Sequence, residues 1–362
     1  MPAGDDRAAM FLAKADLPRP DAELRALASP TDPAIVAGHA EAAARALLRR
    51  PIGSVVPAAR SGTFHDVAVV TFTDFLSPQA AVIRLTRRPA WGRDDGLLVE
   101  SLVRPALARV GVSAPDVLAV DLSRSAVPTD VQIQCIAPGV CLRELDHDDA
   151  HIGAHFPALA RALALVGSVP VRGAGPLDPA HAQPTGLLPD WPAFLALRLT
   201  EHADACMGAG LIDRAERAQI DQAFAALATE VARRELGLLH GDPGSHNVFA
   251  ALDGVTLIDW EDALAGDPLL DLANWATFHP ERRWPAFFDA LPGRGPLAPS
   301  AAERAVFWLY FLRLALAKTV HRLRFGTRDV PGRPPASGRI QRALAALADL
   351  GVVARTPIGG AA

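Results

Sequence analysis

The dipeptide Asp253-Gly254 stands between two short apolar runs, Val248 to Leu252 and Val255 to Ile258. Asp-Gly tolerates the positive φ angles that a two-residue type I′ turn demands, so this spacing predicts a tight β-hairpin. In that register Asn247 faces Trp260 and Asp259 faces Val248. Asn247 and Asp259 therefore emerge side by side at the open end of the hairpin.

An amide oxygen and a carboxylate brought together suit Mg²⁺, which takes oxygen ligands in an octahedron and keeps water or phosphate oxygens in the remaining positions. Asp242 lies five residues before Asn247 on the loop leading into the hairpin, placed to act on something bound beside the metal. Phosphoryl transfer divides its labour in this way: metal ligands neutralise the phosphates while a separate carboxylate orients the acceptor hydroxyl and takes its proton. Taken singly, each of these residues is as easily a turn or capping residue. Their combination in one short stretch carries the chemistry.

The remaining sequence falls into two unlike halves. Residues 1–30 show weak periodicity and read as a loosely ordered extension, after which Asp32-Pro33 marks the start of a helix running to about Arg49. Val67 to Phe72 and Ala80 to Thr86 predict a β-hairpin around Ser77-Pro78. A helix over about 94–110 follows, with a kink or break expected at Pro105, then strands at Val117 to Val120 and Val131 to Ile136. Beyond Pro138-Gly139 helices dominate, over about 148–165, 191–209, 213–235, 303–325 and 338–350, while the Pro- and Gly-rich stretch 167–189 reads as a long loop. No internal repeat is present.

With 362 residues, half of them apolar, the chain has the length of about two domains and the make-up of a globular protein. Its 36 basic and 40 acidic side chains leave a net charge of −4, which gives no support for a nucleic-acid partner. No apolar run reaches the ~18 residues of a membrane span, so no membrane partner is expected and the chain is expected in the cytoplasm. Cys135, Cys141 and Cys206 are too few and too irregularly spaced for a disulfide framework or a zinc site. Among the 36 basic residues only Lys14 and Lys318 are lysines.

Three blocks in order extend the motif: His240-Gly241-Asp242 with Asn247, then Ile258-Asp259-Trp260-Glu261, then Gly266-Asp267-Pro268 with Asp271-Leu272-Ala273. They resemble the signature of the aminoglycoside phosphotransferase and choline kinase family, and the catalytic stretch is most similar to its hygromycin-B-kinase-like branch. The resemblance implies an α+β, two-lobed protein-kinase-like fold with an antiparallel-sheet N-lobe and a mostly helical C-lobe. The implied divisions are an N-terminal extension and helix (1–50), a nucleotide-binding N-lobe (51–137) and a helical C-lobe with catalytic loop and acceptor site (138–362). It further implies Asp242 as catalytic base, Asn247 and Asp259 as magnesium ligands, and His240 as the brace of the catalytic loop. Asp271 resembles the buried aspartate that holds that loop through backbone amides. Asp267, by ordinary capping chemistry, caps the helix that begins at Pro268.

On the nucleotide side, Ser61, Gly62 and Thr63 occupy the place of the family's phosphate-covering loop, although a single glycine also fits an ordinary turn. Kinase-like small lobes place a lysine on the next strand to grip the phosphates. Here the basic residue is Arg84, whose planar fork differs from a point-charge ammonium. Glu100 is its implied ion-pair partner, or else a solvated charge on a helix face. Cys135, Ile136 and Ala137 are the implied adenine-edge residues, through their backbone. The implied cofactors are ATP, with GTP not excluded, and Mg²⁺.

Family acceptors are hydroxyls of small polar molecules. A cationic acceptor would need carboxylates, for which Glu201, Asp204, Glu261, Asp262 and Glu281 are candidates, although acids on amphipathic helices are usually solvated faces. Three readings follow: an antibiotic phosphotransferase acting on a compound such as an aminoglycoside, a metabolite kinase of the same mechanism, and a catalytically silent binding protein. Intact Asp242, Asn247 and Asp259 speak against the third. The chain is expected as a monomer or homodimer.

Overall fold

The computed structural model describes residues 7–27, 29–59, 62–87, 91–252, 254–327 and 335–355. Two short helices, α1 (Ala13–Asp16) and α2 (Asp21–Ala26), precede α3 (Pro33–Leu48). The Asp32 side chain accepts from the Ala34 N–H at 2.7 Å, so α3 starts at the expected cap. Its buried face of Val36, Ala40, Ala43 and Ala44 packs with Val70, Ile83 and Ile133 of a sheet.

That sheet is antiparallel and consists of β1 (Ile52–Pro57), β2 (His65–Phe72), β3 (Ala80–Thr86), β4 (Val117–Asp121) and β5 (Val131–Cys135), in the order β1-β2-β3-β5-β4. Strand β1 escapes sequence reading because it is a largely exposed edge strand with no clean apolar alternation. Helix α4 (Gly96–Arg109) connects β3 to β4 and runs through Pro105 without the expected break. The carbonyl that Pro105 leaves unbonded belongs to Ser101, an exposed residue, while buried Leu97, Val99, Val103 and Leu107 hold the helix in place.

The second half is mostly helical, which completes the α+β, two-lobed arrangement. The helix expected over 148–165 is two, α5 (Asp149–Gly153) and α6 (Phe156–Gly167), with Pro157 in the first turn of the second. The one expected over 191–209 is likewise α7 (Trp191–Ala196) and α8 (Leu199–Gly208), divided at Arg198 in the left-handed conformation. Helix α9 (Arg214–Ala232) opens with a capping box between Asp213 and Glu216. Then follow α10 (Leu269–Phe278), α11 (Trp284–Phe288), the buried 25-residue α12 (Ala301–Phe325) and α13 (Ala336–Asp349). Among the described residues no helix is long and apolar enough to cross a membrane.

Short strands stitch these helices together. After β6 (Val140–Cys141), the stretch expected as one long loop contributes β7 (Ala174–Leu177) and β8 (Gly186–Leu188). With β9 (Gly237–Leu239) and β12 (Leu264–Gly266) they form a sheet in the order β8-β7-β12-β9. Their Gly, Pro and Leu composition lacks the β-branched residues that advertise a strand. The hairpin is present as β10 (Val248–Ala251) and β11 (Gly254–Leu257), but its register differs from expectation. Val248 pairs with Leu257 and Ala251 with Gly254, a register two residues from the expected one; Asp253 lies outside the described residues. A slip of two residues keeps every side chain on its original face, so apolar alternation cannot distinguish the two registers.

The N-terminal stretch differs most from its sequence reading. Instead of a loose extension, residues 7–27 pack down with Met10, Phe11, Ala15, Leu17, Leu24 and Leu27 buried. Met10, Leu17, Leu24 and Leu27 cluster with Phe64 of the loop before β2 and with Phe325 at the end of α12. The segment thereby ties the small lobe to the large one.

Candidate active site

Strand β9 delivers His240, Gly241 and Asp242 into a loop anchored from below by α10. Asp271, in the first turn of that helix, accepts from the N–H groups of His240 at 2.6 Å and Gly241 at 3.0 Å. Burial pushes its carboxyl up to about 7, against the pull of those two amides. Gly241 sits at φ 85°, where a Cβ would come 2.0 Å from the Asp262 carbonyl oxygen, so only glycine fits. The buried His240 ring donates from Nε2 to the Ile258 carbonyl (3.0 Å), accepts at Nδ1 from the Asp242 N–H (3.3 Å) and packs on Trp260. Burial lowers its pKa, so a neutral imidazole links the loop to the hairpin end.

The Asp242 carboxylate meets His246 Nε2 at 3.0 Å and Asn247 Nδ2 at 3.3 Å. Burial alone would raise its pKa, but His246, Lys14 and Lys318 hold it well below the usual carboxylate range. A side chain at Gly244 would collide with the His246 ring, its Cβ lying 2.5 Å from Cε1, so glycine is what lets His246 fold back on Asp242. Asn247 also donates to the Asp242 carbonyl at 3.0 Å, which leaves its amide oxygen for a cation. The Ile258 N–H bonds the Asn247 carbonyl at 3.0 Å, and Asp259 follows in the left-handed conformation (φ 67°, ψ 60°). Such a backbone is rare outside glycine and is typical of sites where geometry is imposed by function.

Arg84 on β3 reaches this point from the other lobe. Its guanidinium donates to Glu100, to Asp259 at 2.6 Å, to Glu261 at 2.7 Å and to Gln132 at 3.3 Å. Burial opposes its charge, but Glu100, Asp259 and Glu261 raise its pKa above the ordinary value. His65 bridges Arg84 (3.2 Å) to buried Asp94 (2.8 Å). Glu100 also accepts from the Trp260 N–H at 3.2 Å, so it is no solvated helix-face charge.

The family model described as "Phosphotransferase enzyme family" matches residues 77–306. The chain belongs to this phosphotransferase family. Solved structures share its fold. Aminoglycoside phosphotransferase APH(4)-Ia has a TM-score of 0.63 at 20% identity, covering 86% of this chain and 99% of that chain. A thermostable mutant of the same enzyme, in ternary complex with ADP and hygromycin B, scores 0.60 at 19% identity over 82% of this chain and 94% of that chain. A choline/ethanolamine kinase family protein from Mesorhizobium loti scores 0.52 at 19% identity, covering 88% and 94% of the two chains. No curated protein matched the sequence.

Two cavities of the phosphotransferase meet at Asp259. The smaller, about 330 Å³, lies between the lobes against Val82, Arg84, Gln134, Ile136, Ala137 and Asn247. The larger, about 600 Å³, is bordered by Lys14, Thr63, Phe64, Arg87, Glu261 and His321. Gly62, His65, Arg143, His246 and Asp259 belong to both. Ser61 lies outside the described residues. Cys135 borders neither cavity, and its N–H is already donated to the Asp116 carbonyl at 2.9 Å, which removes it from the backbone donors open to a purine.

The acids suggested for the acceptor scatter. Glu261 is buried and committed to Arg84 and His65, and Asp262 pairs with Lys14 at 3.4 Å. Glu201 pairs with Arg198 and Asp204 with Arg217, both exposed on α8 and bordering neither cavity. Glu281 pairs with Arg342. Sequence reasoning missed three site residues, Lys14, His65 and His246. His246 stands beside Asn247 inside the motif itself, and Lys14 is one of only two lysines; both signals were visible.

Proposed function

We propose that this phosphotransferase moves the γ-phosphate of ATP to a hydroxyl of a small polar molecule, with Asp242 as the base. What carries the reading is that Asp259 stands where the two cavities join, at the hairpin end that also carries Asn247, whose side-chain amide donates to the Asp242 carboxylate. The smaller cavity takes the nucleotide, its purine edge against the backbone of Ile136 and Ala137 and its phosphates toward Arg84, which Glu100 holds in place. GTP is the alternative donor. The cavity beyond it takes the acceptor.

The donor atoms fit Mg²⁺. Asn247 offers an amide oxygen and Asp259 a carboxylate, both hard oxygen ligands. When bound, Mg²⁺ would neutralise charge on the donor's phosphates. Asp242, ionised and held by His246 and Asn247, orients the acceptor hydroxyl and receives its proton.

The acceptor is an antibiotic such as an aminoglycoside, as in the hygromycin B complex of the similar structure. One observation favours a metabolite acceptor instead: Lys14, Arg87 and Arg143 border the larger cavity and offset its Asp259 and Glu261, so the wall has no excess of carboxylates to attract a polycation. Incubation with ATP or GTP and a panel of aminoglycosides, other hydroxylated antibiotics and small alcohols, read by a phosphate mass shift, separates the two. With the accepted compound in hand, Asp242→Asn should lower kcat by about 10²–10⁴-fold while nucleotide binding survives. Unchanged turnover in that variant overturns the mechanism.

A further inference from the structure

We infer that Lys14, delivered by the N-terminal segment, is the cation that binds the phosphoryl group in flight. This rests on the proposed reaction and adds to it a residue from outside the matched family region.

Of 36 basic side chains only two are lysines, and the charges of both act on the Asp242 carboxylate. Everywhere else arginine serves. Lys318 is engaged with Thr277 Oγ1 at 2.8 Å and lies 3.4 Å from the centre of the Phe278 ring. Lys14 is placed differently, bordering the larger cavity with Gly62, Thr63 and Asp259. Its closest carboxylate, Asp262, is 3.4 Å away, well beyond the ~2.7–2.9 Å of a strong charge-assisted hydrogen bond, so the ammonium is not saturated there.

Its backbone, by contrast, is fixed from several sides. Asp16 accepts from the N–H groups of Phe11 and Leu12 and meets His202 at 2.6 Å; His202 in turn meets Arg313 at 2.9 Å. Arg324 donates to the carbonyls of Ala15 at 2.7 Å and Leu17 at 2.8 Å. This anchoring fixes where the flexible ammonium begins its reach.

Charge balance supplies the need. Arg84 already faces Glu100, Asp259 and Glu261, three carboxylates against one guanidinium. A triphosphate entering beside them adds negative charge that Arg84 cannot offset alone. Burial works against charge on Lys14, but Asp262, Glu261, Asp242 and Asp259 keep its pKa above the ordinary value, so it stands ready as a cation. A compact ammonium with three rotatable donors can follow a phosphoryl group from leaving to attacking oxygen, which a rigid guanidinium fork does less well. In the transfer, the acceptor oxygen bonds to the γ-phosphorus as the bond to the β,γ-bridging oxygen breaks. Asp242 takes the hydroxyl proton, and Lys14 donates hydrogen bonds to the γ-oxygens and keeps its own proton.

The test uses the full chain with Lys14→Met and Lys14→Arg, titrated calorimetrically with ADP and with AMP-PNP in the presence of Mg²⁺. Lys14→Met should weaken AMP-PNP about tenfold and ADP less than about twofold, since one charged hydrogen bond to the γ-phosphate is lost. Lys14→Arg should recover part of the loss, and both variants should melt near the wild-type temperature. Equal weakening of both nucleotides, weakening of neither, or a loss that tracks a fall in melting temperature overturns the assignment. Wild-type protein that binds neither nucleotide overturns the kinase reading itself, and is seen before any variant is scored.

Discussion

The loop from His240 to Asn247 and the segment from Arg7 to Leu27 reach the same cavities by opposite routes. The loop is held by neighbours in sequence: Asp271 and Asn274 bond its backbone from the next helix, and His240 ties it to Ile258. The segment is held by partners far along the chain, with Arg7 donating to the Leu177 carbonyl at 3.0 Å, Asp16 facing His202 and Arg324 gripping two of its carbonyls. A local scaffold compresses chemistry into a motif. A distant scaffold leaves Lys14 with no motif around it, marked in sequence only by the scarcity of lysine.

Removing each scaffold should separate the two regions. The largest effect belongs to Asp271→Ala, which leaves the His240 and Gly241 N–H groups buried without an acceptor, at ~1–3 kcal/mol each. Urea unfolding should show a loss of about 3 kcal/mol, with turnover collapsing, while amide exchange over 10–17 stays slow. Stability within ~0.5 kcal/mol of wild type would mean that the loop has other supports.

The same contrast explains what could be read in advance. Asp242, Asn247 and Asp259 stood out because oxygen ligands and a base must lie within a few ångströms, and a hairpin achieves that within about twenty residues of chain. The sheet's central strands were legible from their β-branched and apolar content, whereas β1, β7 and β8 were not, being exposed or built from Gly, Pro and Leu. The hairpin register was beyond reach for a physical reason, since a two-residue slip conserves facing. Helices α1 and α2 are four and six residues long, too short for a period to register. Glu201 and Asp204 misled because an acid on a helix looks the same in sequence whether it faces a cavity or an arginine.

A smaller effect is expected from Asp16→Ala. It removes the acceptor for two backbone amides and for His202 Nε2, so about 2 kcal/mol should be lost. Here hydrogen exchange should quicken over 10–17 and leave 240–247 protected, the reverse of Asp271→Ala. If both regions loosen together, the segment and the loop form one cooperative unit and the contrast between them fails.

The smallest effect is a pH dependence that reports on the seam between the segment and α12. His321 lies against the Lys14 carbonyl at 3.5 Å, and burial, with the Lys14 charge second, pushes its pKa down from 6.5 to about 4. The folded protein therefore binds this proton less readily than the unfolded chain does. Stability from this group is complete above pH 6.5 and falls as pH drops toward 4. Allowing for solvent at the half-buried ring, the loss at pH 5 should be about 1 kcal/mol. His321→Gln cannot take up that proton, so its urea midpoint should fall less than wild type's between pH 7 and pH 5. Parallel curves for the two proteins would place His321 in a solvated setting and loosen the seam on which Lys14 depends.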